Sequence, residues 1–385
     1  MDTRFTRRQV FGGSARLGLA LACGVPLLQA CGDSGGGSKK QTKAIADGLE
    51  PEAGPLRIIN YNDYVSPDIL AAFEAEYGVK VEVTGITTDE EAITKLASGA
   101  VDVDLDLSAA TDTLYKLVDS GLIQPLNKTY LTNIGNVAAS LRDPYYDKGG
   151  VYTVPYTVFG TGIGFRADRV DPASVSWETL WNTEYKGVTS ILDSYREGLA
   201  MAMMRKGLTD VNTSDAAAIK QAGDDLGELT NLMNIKVTIQ GYTTVPEGST
   251  TVAHTWSGDM LTGVGYLPEG TGAEVLGYWQ PEPAIVNNDT ICVLSKAKSP
   301  VLAHLFINYL LDKTNAQTNF SYVGYQPAIE GLGAQELIDA ELVPENLRNC
   351  VLTNDQIKNG YRFLQLTTDT DVLWNDAWSK FRAGG

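Results

Sequence analysis

Two tyrosines and a carboxylate fall within four consecutive positions in Asn60-Tyr61-Asn62-Asp63-Tyr64. The run before them, Leu56-Arg57-Ile58-Ile59, is apolar enough for an inner strand, and Ser66-Pro67-Asp68-Ile69-Leu70 after them reads as a capped helix start. Ligands collect at the carboxyl ends of strands in open α/β sheets, so the turn predicts one wall of a binding cleft. Catalytic signatures are missing from the sequence. No glycine-rich phosphate loop follows a strand, no metal-ligand spacing occurs and no G-x-S-x-G elbow is present. Only His254 and His304 are available, which argues against histidine-based acid–base or metal chemistry. Carboxylate pairs abound, so an exported hydrolase working through such a pair stays open. The adjacent Tyr145 and Tyr146 could suggest ferric iron, but Asp143, Pro144 and Asp147 around them read as a loop.

These residues must be positioned by a chain of 385 residues, too long for one compact core and suited to two lobes. The net charge is −17. The first 30 residues carry Arg4, Arg7, Arg8 and Arg16 against Asp2, a net of +3, which leaves −20 for the rest. Such a surface repels nucleic acid and anionic lipid and attracts cations, although solubility alone would explain it.

The N-terminus reads as an address. Thr6-Arg7-Arg8-Gln9-Val10-Phe11 is a twin-arginine pattern, and the apolar run from Leu17 to Ala30 is too short to span a bilayer. It ends in Leu28-Gln29-Ala30-Cys31, which resembles the bacterial lipobox, with Cys31 as the lipidated residue. Residues 1–30 are thus expected to be a signal peptide, through the Sec or the twin-arginine route. The Gly/Ser-rich stretch 31–54 is expected to be a flexible tether outside the cytoplasmic membrane. Of the remaining cysteines, Cys292 and Cys350 are open to pairing in a disulfide or to staying buried free thiols.

Beyond the tether the pattern alternates strand and helix. Helices are expected over 67–77, closed by Gly78, and from Thr88 to about Gly99, where Thr88 and Glu91 form a capping box. Val79–Val83 and Val101–Ser108 read as strands; in the latter Asp102, Asp104 and Asp106 share one face, which predicts a solvated edge. Val151–Tyr156, leading to Gly160-Thr161-Gly162, is a candidate crossover between lobes. A second α/β region follows, with strands over 187–192 and 252–256, helices over 197–206, 215–233 and from Asp259, then a strand at 290–294 and a helix from Ser299 to Lys313. The terminal stripe Leu373, Trp374, Trp378 and Phe381 is ordinary helix packing.

Ile59-Asn60-Tyr61-Asn62-Asp63-Tyr64-Val65-Ser66-Pro67 resembles the opening motif of the periplasmic polyamine-binding proteins of ABC transporters. Gly121-Leu122-Ile123-Gln124-Pro125-Leu126, Val154-Pro155-Tyr156, Ser176-Trp177-Glu178-Thr179-Leu180-Trp181, Asp193-Ser194-Tyr195-Arg196-Glu197, Trp256-Ser257-Gly258-Asp259 and Gly324-Tyr325 continue the likeness in family order across about residues 55–385. The resemblance implies a two-lobed type 2 periplasmic-binding-protein fold of the α/β class with a ligand cleft between the lobes. Lobe 1 would be 55–160 plus 288–334, and lobe 2 would be 161–287 plus 335–385. It implies a non-enzymatic protein that captures a polyamine, putrescine or spermidine, and delivers it to a membrane permease. An exported hydrolase and an amine sensor on the same fold are the alternatives.

Carried over residue by residue, the resemblance places Tyr61, Tyr64, Trp256 and Tyr325 as aromatic walls. Asp63, Glu197, Asp259 and Asp289 become ammonium partners, and Ser108 a hydroxyl contact. Carboxylates pair with ammoniums through charge-assisted hydrogen bonds, and aromatic faces cover methylenes and attract cations. Tyr61 stands where tryptophan is usual, Asn287 replaces an aromatic, Ser194 replaces a carboxylate of the spermidine branch, and Phe363 falls near a glutamine. The carboxylate set leans toward the putrescine branch. The expected partners are the polyamine, the permease and, through Cys31, the membrane. The chain would act as a monomer, without nucleic acid, metal or cofactor.

Overall fold

The computed structural model describes residues 42–384. The expected signal peptide, Cys31 and the first part of the tether lie outside the described residues. Among the described residues nine strands form one mixed sheet: β1 (Leu56–Tyr61), β2 (Val81–Ile86), β3 (Leu105–Ala110), β4 (Thr153–Arg166), β5 (Thr189–Ile191), β6 (Lys236–Val237), β7 (Val252–Trp256), β8 (Leu276–Trp279) and β9 (Ile285–Val293). Their order is β2-β1-β3-β9-β4-β7-β5-β6, with β8 also on β4. β1 runs parallel to β2 and β3, and β5 parallel to β6 and β7, as strand–helix–strand units require. The long β4 and β9 lie side by side, antiparallel, and carry the sheet from one half into the other.

In the first half, α1 (Pro67–Tyr77) follows β1, α2 (Asp89–Ser98) follows β2 and α3 (Leu114–Asp119) follows β3. Ser66 caps α1 as its sequence signal predicts, and Thr88 caps α2 by accepting from the Glu91 N–H, but the expected capping box is not closed, because the Glu91 carboxylate accepts from the N–H and hydroxyl of Thr87 instead; Gly78 and Gly99 close these helices at φ values of 67° and 68°. The two faces of β1 are buried on different clusters. Ile58 joins Phe73 and Phe306, while Ile59 joins Ile86, Leu96 and Leu117. In the second half, α4 (Tyr195–Arg205) and α5 (Ala216–Met233) pack with the C-terminal helix Thr368–Arg382 around Leu199, Leu226 and Trp374. The helix α6 (Gly241–Thr244) precedes β7, and α7 (Ser257–Gly263) starts directly from its end.

Three expectations change, and one open alternative is decided. The aspartate-bearing strand is no edge: β3 lies between β1 and β9, and Asp104 and Asp106 are buried. Asp104 is tied into the structure by accepting hydrogen bonds from the backbone N–H groups of Arg57, Lys298 and Ser299. Alternation showed which residues share a face but could not show that a later strand, β9, pairs with the open edge of β3. The strand expected to end at Tyr156 continues without a break to Arg166. The helix expected to end at Lys313 is two, α8 (Pro300–Leu310) and α9 (Lys313–Val323), because Asp312 caps a new start by accepting from the N–H groups of Thr314 and Asn315. Finally, Cys292 and Cys350 are both buried free thiols.

The pairing of β9 is irregular on both sides at one place. Register shifts occur between Asp106 and Ala109 on β3 and between Pro155 and Thr157 on β4. Asp289 sits beside both, opposite Ala110 and Thr157. Bulges of this kind re-aim side chains next to binding sites.

Candidate functional site

The site begins at the Tyr61–Tyr64 turn, where Asp63 adopts φ 59° and so reverses the chain between β1 and α1. The reversal sends Tyr64 inward. Its hydroxyl donates to Asp289 Oδ2 at 2.7 Å and lies 2.7 Å from the Thr157 hydroxyl, which is left to act as donor. The backbone carbonyl of Tyr64 accepts from the Tyr156 hydroxyl at 2.6 Å. The Tyr64 ring meets those of Tyr61, Tyr156 and Tyr325 edge-on, with centroids 5.8, 5.4 and 5.3 Å away. Such pairs are favourable electrostatically and fix ring orientation.

From Tyr325 the network continues into the second half. Its hydroxyl donates to Asp259 Oδ1 at 2.7 Å, and the Thr255 hydroxyl donates to Asp259 Oδ2. The Tyr325 ring contacts Phe159 at 5.1 Å, and Phe159 contacts Trp256 at 6.2 Å. Trp256 Nε1 donates to Glu197 Oε1 at 2.9 Å. The same oxygen accepts from Thr161 Oγ1 at 3.0 Å and from Asn287 Nδ2 at 2.9 Å. Glu197 Oε2 is buried and has no partner.

These carboxylates are held in an environment that opposes ionisation. Burial pushes Glu197 and Asp289 up to about 7, against hydrogen bonds that pull the other way. Burial likewise pushes Asp259 up to about 6. Among the described residues no ion pair joins a Lys, Arg or His to any of the three. Buried anions without a cation are costly, so the arrangement is built to be completed by positive charge.

The family model for bacterial extracellular solute-binding proteins matches residues 68–344. The chain belongs to that family. It is a solute-binding component of transport, not an enzyme. It is 29% identical over 335 residues to the spermidine/putrescine-binding periplasmic protein of Escherichia coli (strain K12), covering 86% of this chain and 92% of that protein. It is also 29% identical over 285 residues to the putrescine-binding periplasmic protein PotF of the same organism, covering 68% and 75%. Its fold is similar to that of the spermidine/putrescine ABC transporter substrate-binding protein PotD from Streptococcus pneumoniae, with a TM-score of 0.71 at 24% identity, over 86% of this chain and 98% of that one.

Within this solute-binding protein the structure connects Tyr61, Tyr64, Glu197, Trp256, Asp259, Asp289 and Tyr325 through direct contacts or one shared neighbour. Two residues of the sequence-based set lie apart. Asp63 is exposed, its Oδ1 accepting from the Tyr322 hydroxyl at 3.0 Å. Ser108 is fully buried in β3, and both its N–H and its hydroxyl donate to Asp106 Oδ1. The adjacent Tyr145 and Tyr146 rings meet edge-on, and the Tyr145 hydroxyl donates to the Phe363 carbonyl. Among the described residues no group of three or more His, Cys, Asp or Glu side chains could hold a metal ion.

Several members were not singled out as contacts from the sequence. Thr157, Thr161 and Thr255 carry no distinguishing local pattern, because strand threonines are common. Asn287 stood out only as the replacement of an aromatic. Asp89 was hidden by the capping signal of α2, since acidic residues are ordinary in a first helical turn. It accepts from the Tyr61 hydroxyl at 2.6 Å.

Proposed function

We propose that this protein is the lipid-anchored receptor of a polyamine ABC transporter, capturing a polyamine between its lobes and presenting it to a membrane permease. The observation that carries the reading is the connected set Asp289–Tyr64–Tyr325–Asp259 with Glu197 and Trp256, rich in buried carboxylates and aromatic rings and with no ion-paired cation among the described residues. A polyamine alternates ammoniums with methylenes, so it supplies the missing charge while its methylenes lie on the rings. The curated relatives that bind spermidine and putrescine support the same ligand class. Anchoring through Cys31 and monomeric action remain part of the proposal, resting on the lipobox-like segment and on the absence of any need for a second copy to complete the set.

Native mass spectrometry of protein purified from its host reads the bound mass directly. Calorimetric titration of refolded, ligand-free protein with putrescine, spermidine and spermine then gives affinities. Binding of at least one of the three is expected; no heat and no thermal shift with any would end the polyamine reading. Metabolic labelling with a fatty acid, abolished by Cys31→Ser, tests the anchor.

A further inference from the structure

Donors crowd one oxygen of Glu197. Its Oε1 accepts from Trp256 Nε1, Thr161 Oγ1 and Asn287 Nδ2, while Oε2 is buried and has no partner. A carboxylate oxygen offers two lone pairs, so Oε1 is filled and a further donor must go to Oε2. Of the three donors, Asn287 is the one that acts twice. Its Nδ2 lies 2.9 Å from Glu197 Oε1 and 3.0 Å from Thr161 Oγ1, with one N–H for each. The Thr161 hydroxyl accepts from Asn287 and is thereby turned to donate to Glu197. An amide facing the other way would set its oxygen against the carboxylate, so the network fixes which way Asn287 points.

The backbone delivers Asn287 to this place. On β9 it pairs with Phe159 of β4, and Thr161 lies two residues along β4 on the same face. Asp289 stands two residues along β9 on that face, and Glu197 comes from the first turn of α4. Asn287 therefore joins the strand that carries Asp289 to the helix that carries Glu197. Residue type matters here. An amide supplies two donors without charge, and a hydroxyl only one. A lysine or arginine at 287 would neutralise Glu197 and remove its need for a cation.

We propose that Asn287 is a positioning residue: it keeps Glu197 Oε1 occupied and the carboxylate oriented so that Oε2 alone is presented to a ligand ammonium. The ligand class rests on the polyamine reading above; the hold on Glu197 does not.

Trp256 Nε1 bonds the same oxygen at 2.9 Å, so its indole N–H resonance reports the charge on Glu197. In refolded, ligand-free protein that resonance is expected to titrate at about 7. In both Asn287→Leu and Asn287→Ser the midpoint should lie higher by about half a pH unit or more, because hydrogen bonds to the ionised form are lost. The other titratable or charged groups bearing on Glu197 are Asp112 beyond β3, Arg196 on α4 and Tyr278 on β8, and they are the same in every variant. An unchanged midpoint overturns the proposal. So does a shift with leucine alone, which dehydration would produce. Thermal melts check folding, and if the leucine variant does not fold the serine variant decides. Calorimetry with putrescine and spermidine at pH 8 then closes a double-mutant cycle. The Asn287 variants are expected to weaken amine binding at least about five-fold, but less than about two-fold on a Glu197→Gln background, where the partner is gone. Equal losses on both backgrounds overturn the proposal. If neither amine binds the wild type, the polyamine reading fails, while the Trp256 resonance still decides whether Asn287 holds Glu197.

Discussion

The Tyr64 hydroxyl donates to Asp289 Oδ2 at 2.7 Å, joining residues 225 positions apart in sequence. The bond ties the β1–α1 turn to β9, one of the two long strands that carry the sheet from one half into the other. Tyr64→Phe removes this donor and leaves Asp289 buried without its hydroxyl partner. Amine affinity is expected to fall by roughly 1–2 kcal/mol, the usual cost of an unmet buried acceptor, with folding retained. Titration calorimetry with thermal melts checks both halves; an unchanged affinity would separate Asp289 from the ligand.

Glu197 offers a cleaner removal of charge. Glutamine can place its oxygen where Oε1 accepts from Thr161, Trp256 and Asn287, and its amide nitrogen where Oε2 stands unpartnered. Glu197→Gln is expected to weaken amine binding by more than about 2 kcal/mol, because a paired buried charge is lost. The ligand-free melting temperature should hold or rise above pH 7. A variant that binds amines normally would exclude Glu197 from the site.

Stability and affinity should respond to pH with opposite signs. The Glu197 carboxyl is raised from the ordinary 4.5 to about 7, and Asp289 from 3.8 to about 7. Groups raised in the folded state contribute stability that is fully present below their unfolded values and lost as pH rises toward 7. For Glu197 the displacement corresponds to roughly 3 kcal/mol. The ligand-free melting temperature is therefore expected to rise as pH falls from 8 to 5. A cationic ligand needs the ionised carboxylates, so its affinity should fall over the same range. Titrations at pH 6.5 in buffers of different ionisation enthalpy should show net proton release on binding.

Tyr325 depends on a close approach that only glycine permits. A Cβ at Gly258 would lie 2.4 Å from the Tyr325 ring, and a ring packed against Tyr64 and Phe159 has little room to move. Gly258→Ala is expected to cost about 1–3 kcal/mol in stability and to disturb the Tyr325–Asp259 hydrogen bond, lowering amine affinity. Chemical denaturation and calorimetry measure the two effects; wild-type values in both would mean that the helix shifts freely.

The local signals of this chain were read directly from its residues. Ser66, Pro67 and Gly78 delimit α1, Thr88 and Gly99 delimit α2, and the Asn60–Tyr64 turn lies where a strand hands over to a helix. These depend on bonds within a few residues, so types and spacing suffice. The family likeness brought Glu197, Trp256, Asp259, Asp289 and Tyr325 into one expectation, and the structure connects them. Tertiary structure decided the rest. Asp104 and Asp106 looked like a solvated edge until β9, nearly two hundred residues later, covered them. Ser108 turned to Asp106, and Asp63 stayed exposed beside Tyr322. Asp89 drew no reading from the sequence, and the fold brings it to the Tyr61 hydroxyl. Burial and long-range pairing are made by segments distant in sequence, and that geometry leaves a carboxylate either solvated or waiting for a cation.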